Sequence, residues 1–433
     1  MDPVNVGIAG IVLLILLFLI RMPVAFAMAF VGFLGFSYLS SFKAGYKLLA
    51  RDIFEQFSNF PLSAIPMFIL MGAFAFASGI GKRLYDAAYT VLGNLRGGLT
   101  IATVVASGFF AAICGSTSAT AATIGKIALP EMKRYQYDDT LATGTLASAG
   151  TLGILIPPST IFLVYGIMTE QSIGKLFVAS ILPGILLAIL FVITVSLICW
   201  VSPNAGPAGA QTTLKEKLKA MVGIGEALIL FGLVIGGLFF GWFTPTQAGG
   251  IGAAGALAIG LVRRQLSWKV FIESTRDGLR TSCMVLCVIA CATVFGHFMA
   301  VSTIPFILAD WIGGLPIHPM AVMGVVVLIY LIGGCFMDSM ALVVLTVPVI
   351  YPVVVRLGFD PIWFGVIIVL VSEMGVITPP VGVNVYVIKG IAPEIPLETI
   401  FKGIFPFLIA IVVITGILMV FPKIALILPG LIK

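Results

Sequence analysis

Charged residues are scarce in this sequence. Asp, Glu, Lys and Arg make up 10% of its 433 residues, against about 25% in an ordinary soluble domain. Hydrophobic residues make up 60%, so the composition excludes water as the main solvent and leaves no room for a large soluble domain. Apolar runs long enough for membrane helices recur from Val6 to Phe421. We therefore expect an all-α polytopic membrane protein.

Histidine is nearly absent, and the cysteines follow no metal-binding or disulfide pattern. The two histidines, His297 and His318, have no carboxylate constellation around them in the sequence. Cys283, Cys287 and Cys291 lie four residues apart on one helical stripe, a geometry that does not favour disulfides. A thiolate metal site on this stripe needs a fourth ligand and a charge buried in lipid. Packing is the favoured role, with a metal site as the alternative.

Catalytic patterns are also missing. The sequence has no His-Glu-x-x-His motif, no paired carboxylates at a cleavage site and no Ser/His arrangement. An intramembrane protease or related enzyme requires one such catalytic pattern. We therefore expect no enzymatic activity. The formal charge of +6 is spread through short loops, so the basic residues are interpreted as topology signals and nucleic acid is not an expected partner.

The apolar runs predict ten membrane crossings. They lie at 6–20, 22–42, 60–81, 140–168, 175–200, 222–243, 245–262, 282–300, 361–390 and 400–421. The first is interpreted as a retained crossing, because no basic residue precedes it and no small-residue cleavage site follows it. Two further runs, 98–133 and 317–356, are interrupted near the middle by polar or glycine-rich segments. Each half of these runs is short for a crossing, which predicts two re-entrant hairpins.

The chain contains an internal repeat. Gly153–Pro158 (GILIPP) matches Gly375–Pro380 (GVITPP), and the spacing from Gly153 to Gly375 is called the repeat offset below. This match predicts a first repeat over 1–200 with the hairpin 98–133, a cytoplasmic linker over 201–221, and a second repeat over 222–433 with the hairpin 317–356. Each repeat has five crossings plus a hairpin that adds none, so an odd number of crossings inverts the second repeat.

Basic residues indicate the orientation. With the amino terminus outside, sixteen of the 24 Lys and Arg residues fall on the cytoplasmic side, seven outside, and Lys126 within the first hairpin. The seven outer residues are Lys43, Lys47, Arg51, Lys175, Arg356, Lys423 and Lys433. Because basic residues accumulate on the cytoplasmic side, the amino terminus is predicted to lie outside. Lys126 is interpreted as a snorkelling side chain.

The proline pairs predict cation sites. A proline has no N–H for the carbonyl four residues earlier, so each Pro-Pro pair frees two carbonyls inside an apolar run. The freed carbonyls belong to Gly153, Ile154, Gly375 and Val376. Unpaired carbonyls are costly in hydrocarbon, and at such breaks they are natural ligands for a hard cation. Na⁺ is the expected coupling ion.

The hairpin tips add side-chain oxygens. Ser116 and Ser118 are candidate ligands beside the first break; Asp338, Ser339 and Thr378 are candidates at the second. The half-helix after each proline pair presents a positive dipole end that suits an anionic solute. The candidate solute contacts are Thr117, Ser159, Thr160 and Asn384. Proline kinks and small residues also serve plain helix packing, which remains the alternative at each break. Glu373 stays open between a functional and a structural role.

Four segments together resemble the large membrane subunit of tripartite ATP-independent periplasmic (TRAP) transporters. They are Gly115–Ala119 (GSTSA), Gly153–Pro158, Gly334–Ala341 (GCFMDSMA) and Gly375–Pro380. The resemblance covers nearly the whole chain and is specific in combination, since hairpin tip and Pro-Pro segment occur twice. The wider ion transporter superfamily shares the general plan.

The resemblance implies sodium-driven uptake of an organic anion by an elevator motion of the hairpin-bearing domain. The expected solute is a C4-dicarboxylate or a related carboxylate. The implied partners are a separate small four-helix membrane subunit and a soluble extracytoplasmic binding protein, and the implied location is a bacterial or archaeal plasma membrane, the cell inner membrane. The alternative is a stand-alone sodium- or proton-coupled anion transporter. By similarity, Ser116, Ser118, Gly153 and Ile154 form one sodium region, and Gly375, Val376 and Thr378 with the second tip form the other.

Overall fold

The computed structural model describes residues 2–209, 211–314 and 316–431. Within these ranges the chain is helical and has no β-strand. Lys433, one of the seven basic residues predicted to lie outside, falls beyond the described residues. The all-α prediction is confirmed.

Twenty-one helices follow one another along the described chain, with two 3-10 turns at Phe60–Ser63 and Pro429–Leu431. The helices of the first half are α1 Pro3–Leu19, α2 Val24–Leu39, α3 Phe42–Ser58, α4 Ala64–Ala77, α5 Ile80–Leu92, α6 Gly98–Cys114, α7 Thr117–Arg134, α8 Asp139–Gly150, α9 Leu152–Leu155, α10 Thr160–Met168 and α11 Ile173–Val201. Those of the second half are α12 Leu214–Phe239, α13 Pro245–Val262, α14 Trp268–Val301, α15 Ile304–Gly313, α16 Pro319–Phe336, α17 Ser339–Arg356, α18 Pro361–Ile377, α19 Val383–Ile391, α20 Leu397–Val420 and α21 Lys423–Leu426.

The order of helices recurs between the two halves. Both ends of α17 follow those of α7 by the repeat offset, and both ends of α18 follow the combined ends of α8 and α9 by the same offset. The offset read from the proline segments therefore also relates the second hairpin arms and the helices before the breaks. The inverted orientation of the halves stays a prediction.

Two boundaries differ from the sequence prediction. The predicted crossing 282–300 is the second part of a longer element, because α14 begins at Trp268 and runs through it as one helix of 34 residues. In the first half the corresponding segment is two helices, α3 and α4, separated by a 3-10 turn that contains Pro61. The helix α14 has no proline at the equivalent place, so it continues without a break. The helix α12 begins inside the predicted linker, since Thr213 and Glu216 form a reciprocal capping box that starts it at Leu214.

Eight of the described helices are long and apolar enough to cross a membrane, or nine if the bent helix pair Asp139–Leu155 and Thr160–Met168 counts as one crossing. Other predicted crossings coincide with shorter apolar helices, among them α1, α2 and α18. The chain is therefore a multi-pass membrane protein. Both arms of the second hairpin, α16 and α17, pass this test with 18 residues each, about 27 Å of helix. The expectation that hairpin halves are short for a crossing is wrong for this pair.

The helices after the two breaks pack across the halves. The first-half helix α10 contacts α17 of the second hairpin, while the second-half helix α19 contacts α7 of the first hairpin. Between them α18 is buried along nearly its whole length, from Trp363 to Ile377. This exchange brings the arms of both hairpins close to the helices that flank the proline breaks. Among the predicted site residues, Asp338 remains exposed.

Candidate functional site

The first hairpin turns within two residues. The helix α6 ends at Gly115, whose φ of 61° is left-handed and favours glycine. Ser116 is extended, and its Oγ accepts a hydrogen bond from the N–H of Ala119 at 3.4 Å, which caps the start of α7. The Ser116 hydroxyl oxygen thus lies at the tip beside a helix amino terminus. Ser118, one residue into α7, is half-buried.

The second hairpin uses an acidic residue in the same role. Asp338 follows Ser116 by the repeat offset and caps α17, with its Oδ2 accepting from the N–H of Met340 at 3.0 Å. A carboxylate at this position also complements the helix dipole. The structure shows that Ser116 and Asp338 are equivalent helix caps. Each tip therefore carries one side-chain oxygen that is able to bind a cation.

Each proline pair interrupts a helix, as predicted. In the first half the break separates α9 from α10 with a bend of 40°. In the second half it separates α18 from α19, which begins after Gly382 with a left-handed φ of 61°. The peptide bonds Pro157–Pro158 and Pro379–Pro380 are both cis.

The four predicted carbonyls are not all equally free. In the part of the chain that the structure describes, no main-chain N–H donates to the carbonyls of Gly153 and Ile154. The carbonyl of Gly375, in contrast, accepts the N–H of Thr378 at 2.9 Å. The prediction that Pro379 strips this carbonyl of its donor is therefore wrong, because the chain tightens into a shorter turn. The Thr378 hydroxyl donates to the carbonyl of Met374 at 2.6 Å, which leaves its oxygen lone pairs available.

Glycines allow the first tip to touch the first break. A Cβ on Gly153 would lie 2.5 Å from the Ser116 carbonyl oxygen and 2.8 Å from Thr120 Oγ1. A Cβ on Gly115 would lie 2.6 Å from the Pro158 carbonyl oxygen, and Thr160 Oγ1 donates to the Gly115 carbonyl at 3.4 Å. The structure thus brings Ser116 and Gly153 of the predicted first region together. It adds the buried Thr120, which hydropathy and motif reasoning did not single out.

The second half repeats this close approach. A Cβ on Gly375 would lie 2.5 Å from the main chain of Gly334, and one on Gly334 would lie 2.9 Å from the Ser372 carbonyl oxygen. The first arm of the second hairpin therefore rests directly on the helix before the break. Val376 is buried at this contact.

A buried carboxylate joins the two hairpins. The Oε2 atom of Glu373 accepts the Thr117 hydroxyl at 2.8 Å, and its Oε1 atom accepts the Ser339 hydroxyl at 2.9 Å. Thr117 is predicted to contact solute and Ser339 to contact a cation, and the hydroxyl of each donates a hydrogen bond to Glu373. Only 1% of Glu373 is exposed. Glu373 is therefore a buried contact between the first residues of α7 and α17, and the structure does not decide between a functional and a structural role for it.

Several buried oxygens near the breaks have no hydrogen-bond partner among the described residues. The Nδ2 atom of Asn384 donates to the Ala147 carbonyl at 3.1 Å, whereas its Oδ1 atom is unpaired. The hydroxyls of Ser159 and Ser148 are also buried and unpaired. Buried polar groups are usually satisfied, so this cluster marks a polar interior open to an additional partner.

A cavity of about 480 Å³ reaches the first tip from between α4 and α14. Ser116 and Thr160 line it on one side, and Glu273 and Asp277 of α14 line it on the other. The cavity gives the first tip an open path to its surroundings. Within the described chain no group of three or more His, Cys, Asp or Glu residues is arranged for a metal ion.

The chain resembles known transport proteins throughout its length. A family model described as "Tripartite ATP-independent periplasmic transporter, DctM component" matches residues 11–424. The C4-dicarboxylate TRAP transporter large permease protein DctM of Pseudomonas aeruginosa is 36% identical over 387 residues, covering 88% of this chain and 89% of that protein. The sialic acid TRAP transporter large permease protein SiaM of Vibrio cholerae is 32% identical over 411 residues, covering 95% of each.

A solved structure shares the fold. The YdaH transporter of Alcanivorax borkumensis superposes with a TM-score of 0.63 at 15% identity, covering 87% of this chain and 88% of that chain. The family resemblance drawn from the hairpin tips and proline segments is confirmed by the family model and by these two relatives, each of which matches most of the chain. The chain therefore belongs to the DctM component family of tripartite ATP-independent periplasmic transporters, a family of transporter permeases and not of enzymes.

Proposed function

We propose that this permease couples the uptake of an organic anion to sodium. The observation that carries the proposal is the close contact, in each half, between the hairpin and the helix that ends at the proline break. At the first contact, oxygens of the tip face a helix end whose carbonyls lack main-chain donors. Such carbonyls are stabilised by a cation.

The first proposed cation site combines the carbonyls of Gly153 and Ile154 with the hydroxyls of Ser116 and Ser118. The second combines Asp338 and Ser339 of the tip with the main chain of Gly375 and Val376 and the hydroxyl of Thr378. Oxygen atoms are the ligands that hard cations prefer. Since both sets consist of oxygens, Na⁺ is the proposed ion.

The proposed solute is a carboxylate. The amino-terminal ends of α10 and α19 lie after the two breaks and supply positive dipole ends for an anion. Ser159, Thr160 and Asn384 lie at these ends, and the unpaired oxygens of Ser159 and Asn384 are suited to accept from hydroxyl groups of a solute or from water. The names of the two relatives refer to a C4-dicarboxylate and to sialic acid, which are both carboxylates.

The proposed assembly has three parts. A small four-helix membrane subunit accompanies this chain in the inner membrane, and a soluble periplasmic protein delivers the solute. The chain lies with its amino terminus outside, its halves are inverted repeats, and the hairpin-bearing region moves as an elevator against the remaining helices. The description of the family as a component of a tripartite transporter supports the three-part assembly.

Uptake into proteoliposomes tests the coupling. With both partners present, labelled organic acid should accumulate under an inward sodium gradient and stop when potassium replaces sodium. Uptake that is indifferent to sodium refutes the coupling. Uptake that proceeds without the binding protein would favour the alternative of a stand-alone transporter.

Replacing Ser116 and Ser118 together with Ala tests the first site. The double variant should remain folded but need a higher sodium concentration for half-maximal uptake, because two ligands are lost. Ser116→Ala also removes a helix cap, worth about 1 kcal/mol. Ser41→Ala is the matched control, since Ser41 Oγ caps α3 through the N–H of Ala44 at 3.2 Å and does not line the cavity at the first tip. Equal sodium dependence in the double variant and the control contradicts the assignment.

A further inference from the structure

The Glu373 carboxylate lies between the two hairpins and accepts a hydrogen bond from each. Its two oxygens accept one hydroxyl from each hairpin, Thr117 at 2.8 Å and Ser339 at 2.9 Å. These donors are the first residues of α7 and α17. They are separated by the repeat offset, so one carboxylate accepts equivalent hydroxyls from both halves of the chain.

Only one half supplies such an acid. The residue that precedes Glu373 by the repeat offset is Thr151, whose hydroxyl donates to the Ser148 carbonyl at 2.7 Å within its own helix segment. The first half therefore has no second carboxylate at the equivalent position. A single negative group is shared by the two tips.

No positive side chain compensates Glu373. Among the described residues, no Lys, Arg or His nitrogen lies within 4.0 Å of its oxygens. Two neutral hydroxyls satisfy its hydrogen bonds without supplying a counter-charge. A buried charge that lacks one is strongly unfavourable. A cation brought from outside supplies the partner that the side chains lack.

Residues of both proposed cation sites are sequence neighbours of the groups in this bridge. Thr117 is flanked in sequence by Ser116 and Ser118 of the first site. On the other side, Ser339 follows Asp338, and Gly375 lies two residues after Glu373 along α18. Each bridging hydroxyl donates a hydrogen bond to Glu373, so its oxygen lone pairs point away from the carboxylate. These lone pairs strengthen the negative electrostatic potential at the neighbouring tip.

We propose that Glu373 is the shared counter-charge and the positioning link of the two sodium sites. A cation at one tip tightens the hydroxyl-carboxylate-hydroxyl bridge and thereby orders the other tip, so the two sodium ions bind cooperatively. This inference rests on the sodium coupling proposed above. It adds the residue through which one site senses the other.

Two substitutions of Glu373 distinguish the effect of its negative charge from the effect of its contact with both hairpins. Glu373→Gln keeps the length of the side chain and removes the negative charge, so half-maximal uptake should need at least tenfold more sodium. Glu373→Asp keeps the charge and shortens the side chain by one methylene group. It should retain more of the sodium affinity but lose the dependence of one site on the other, with the Hill coefficient for sodium falling towards one.

Breaking one side of the bridge provides an independent test. Thr117→Val removes a single hydrogen bond and keeps the carboxylate, so the Hill coefficient should fall. Ser339→Ala breaks the other side of the bridge and also removes a ligand of the proposed second site, so it should lower the sodium affinity as well. Ser372→Ala is the matched control, because the Ser372 hydroxyl donates only to the Ile368 carbonyl at 2.6 Å within α18. This control should keep the sodium affinity and cooperativity of the unsubstituted protein.

The measurements use the complete three-component transporter in proteoliposomes, with sodium titrated at constant ionic strength by exchange for potassium. A second readout is the rise in unfolding temperature that sodium gives the purified permease, compared with potassium. Unchanged sodium affinity in Glu373→Gln, or a Hill coefficient of one in the unsubstituted protein, overturns the inference while sodium coupling stands. Sodium-independent uptake by the unsubstituted protein overturns the coupling itself. If Glu373→Gln does not fold, the Thr117 and Ser339 variants decide.

Discussion

Alanine at Gly153 should separate the first hairpin tip from the first helix break. The added Cβ would lie 2.5 Å from the Ser116 carbonyl oxygen, whereas ordinary contacts begin at 3.4 Å. The tip must therefore retreat by about 1 Å, since overlapping atoms repel steeply. Because the obstacle is a main-chain atom, no change of side-chain rotamer relieves it. Overpacking of this kind typically costs about 1–3 kcal/mol.

The same displacement acts on the proposed first cation site. Ligand distances at metal sites tolerate changes of about 0.2 Å, and a shift of about 1 Å moves Ser116 out of range of a cation held by Gly153. If the whole strain energy destabilises the sodium-bound state, half-maximal uptake needs about 5- to 150-fold more sodium, since about 1.4 kcal/mol corresponds to a factor of ten. Sodium titration of uptake in proteoliposomes measures this value.

Gly108→Ala is the control for helix and hairpin stability. Gly108 lies in the first arm of the first hairpin, and its added Cβ would be 3.5 Å from Ile156 Cδ1, an ordinary contact. This variant should transport with the sodium dependence of the unsubstituted protein. The reasoning is refuted if Gly153→Ala keeps that sodium dependence, or if both variants lose it equally.

Two further substitutions test the breaks and the helix packing. Replacing Pro157 and Pro158 together with Ala should restore main-chain donors, favour a continuous helix by about 3 kcal/mol per residue and abolish transport while the protein still inserts; normal uptake would remove the main support for the carbonyl site. Gly403→Ala should lower the unfolding temperature in detergent, because its Cβ would overlap the main chain of α8, at a cost of about 1–3 kcal/mol. Gly416→Ala on the same helix, with nothing within 4 Å of its Cβ, should leave that temperature unchanged or raise it.

Long-range contacts were beyond sequence reasoning. Thr117 and Glu373 are separated by 256 residues, and nothing in the local pattern of either indicates that they meet. The sequence left Glu373 open and gave Thr117 a solute contact. The cavity between α14 and the first tip was likewise not predictable from the sequence. Glu273 and Asp277 line it, and their orientation depends on the course of the 34-residue helix α14.

By itself, the sequence determined the solvent, the helices, the two hairpins and the two breaks. These follow from properties of single residues and of neighbours along the chain: apolar length decides what can cross a bilayer, and proline lacks an N–H wherever it stands. Only the tertiary structure decided which oxygens remain free. The Gly375 carbonyl takes the Thr378 N–H because the chain tightens there, and the hydroxyls of Thr117 and Ser339 turn to a shared carboxylate because helix packing buries it between the hairpins.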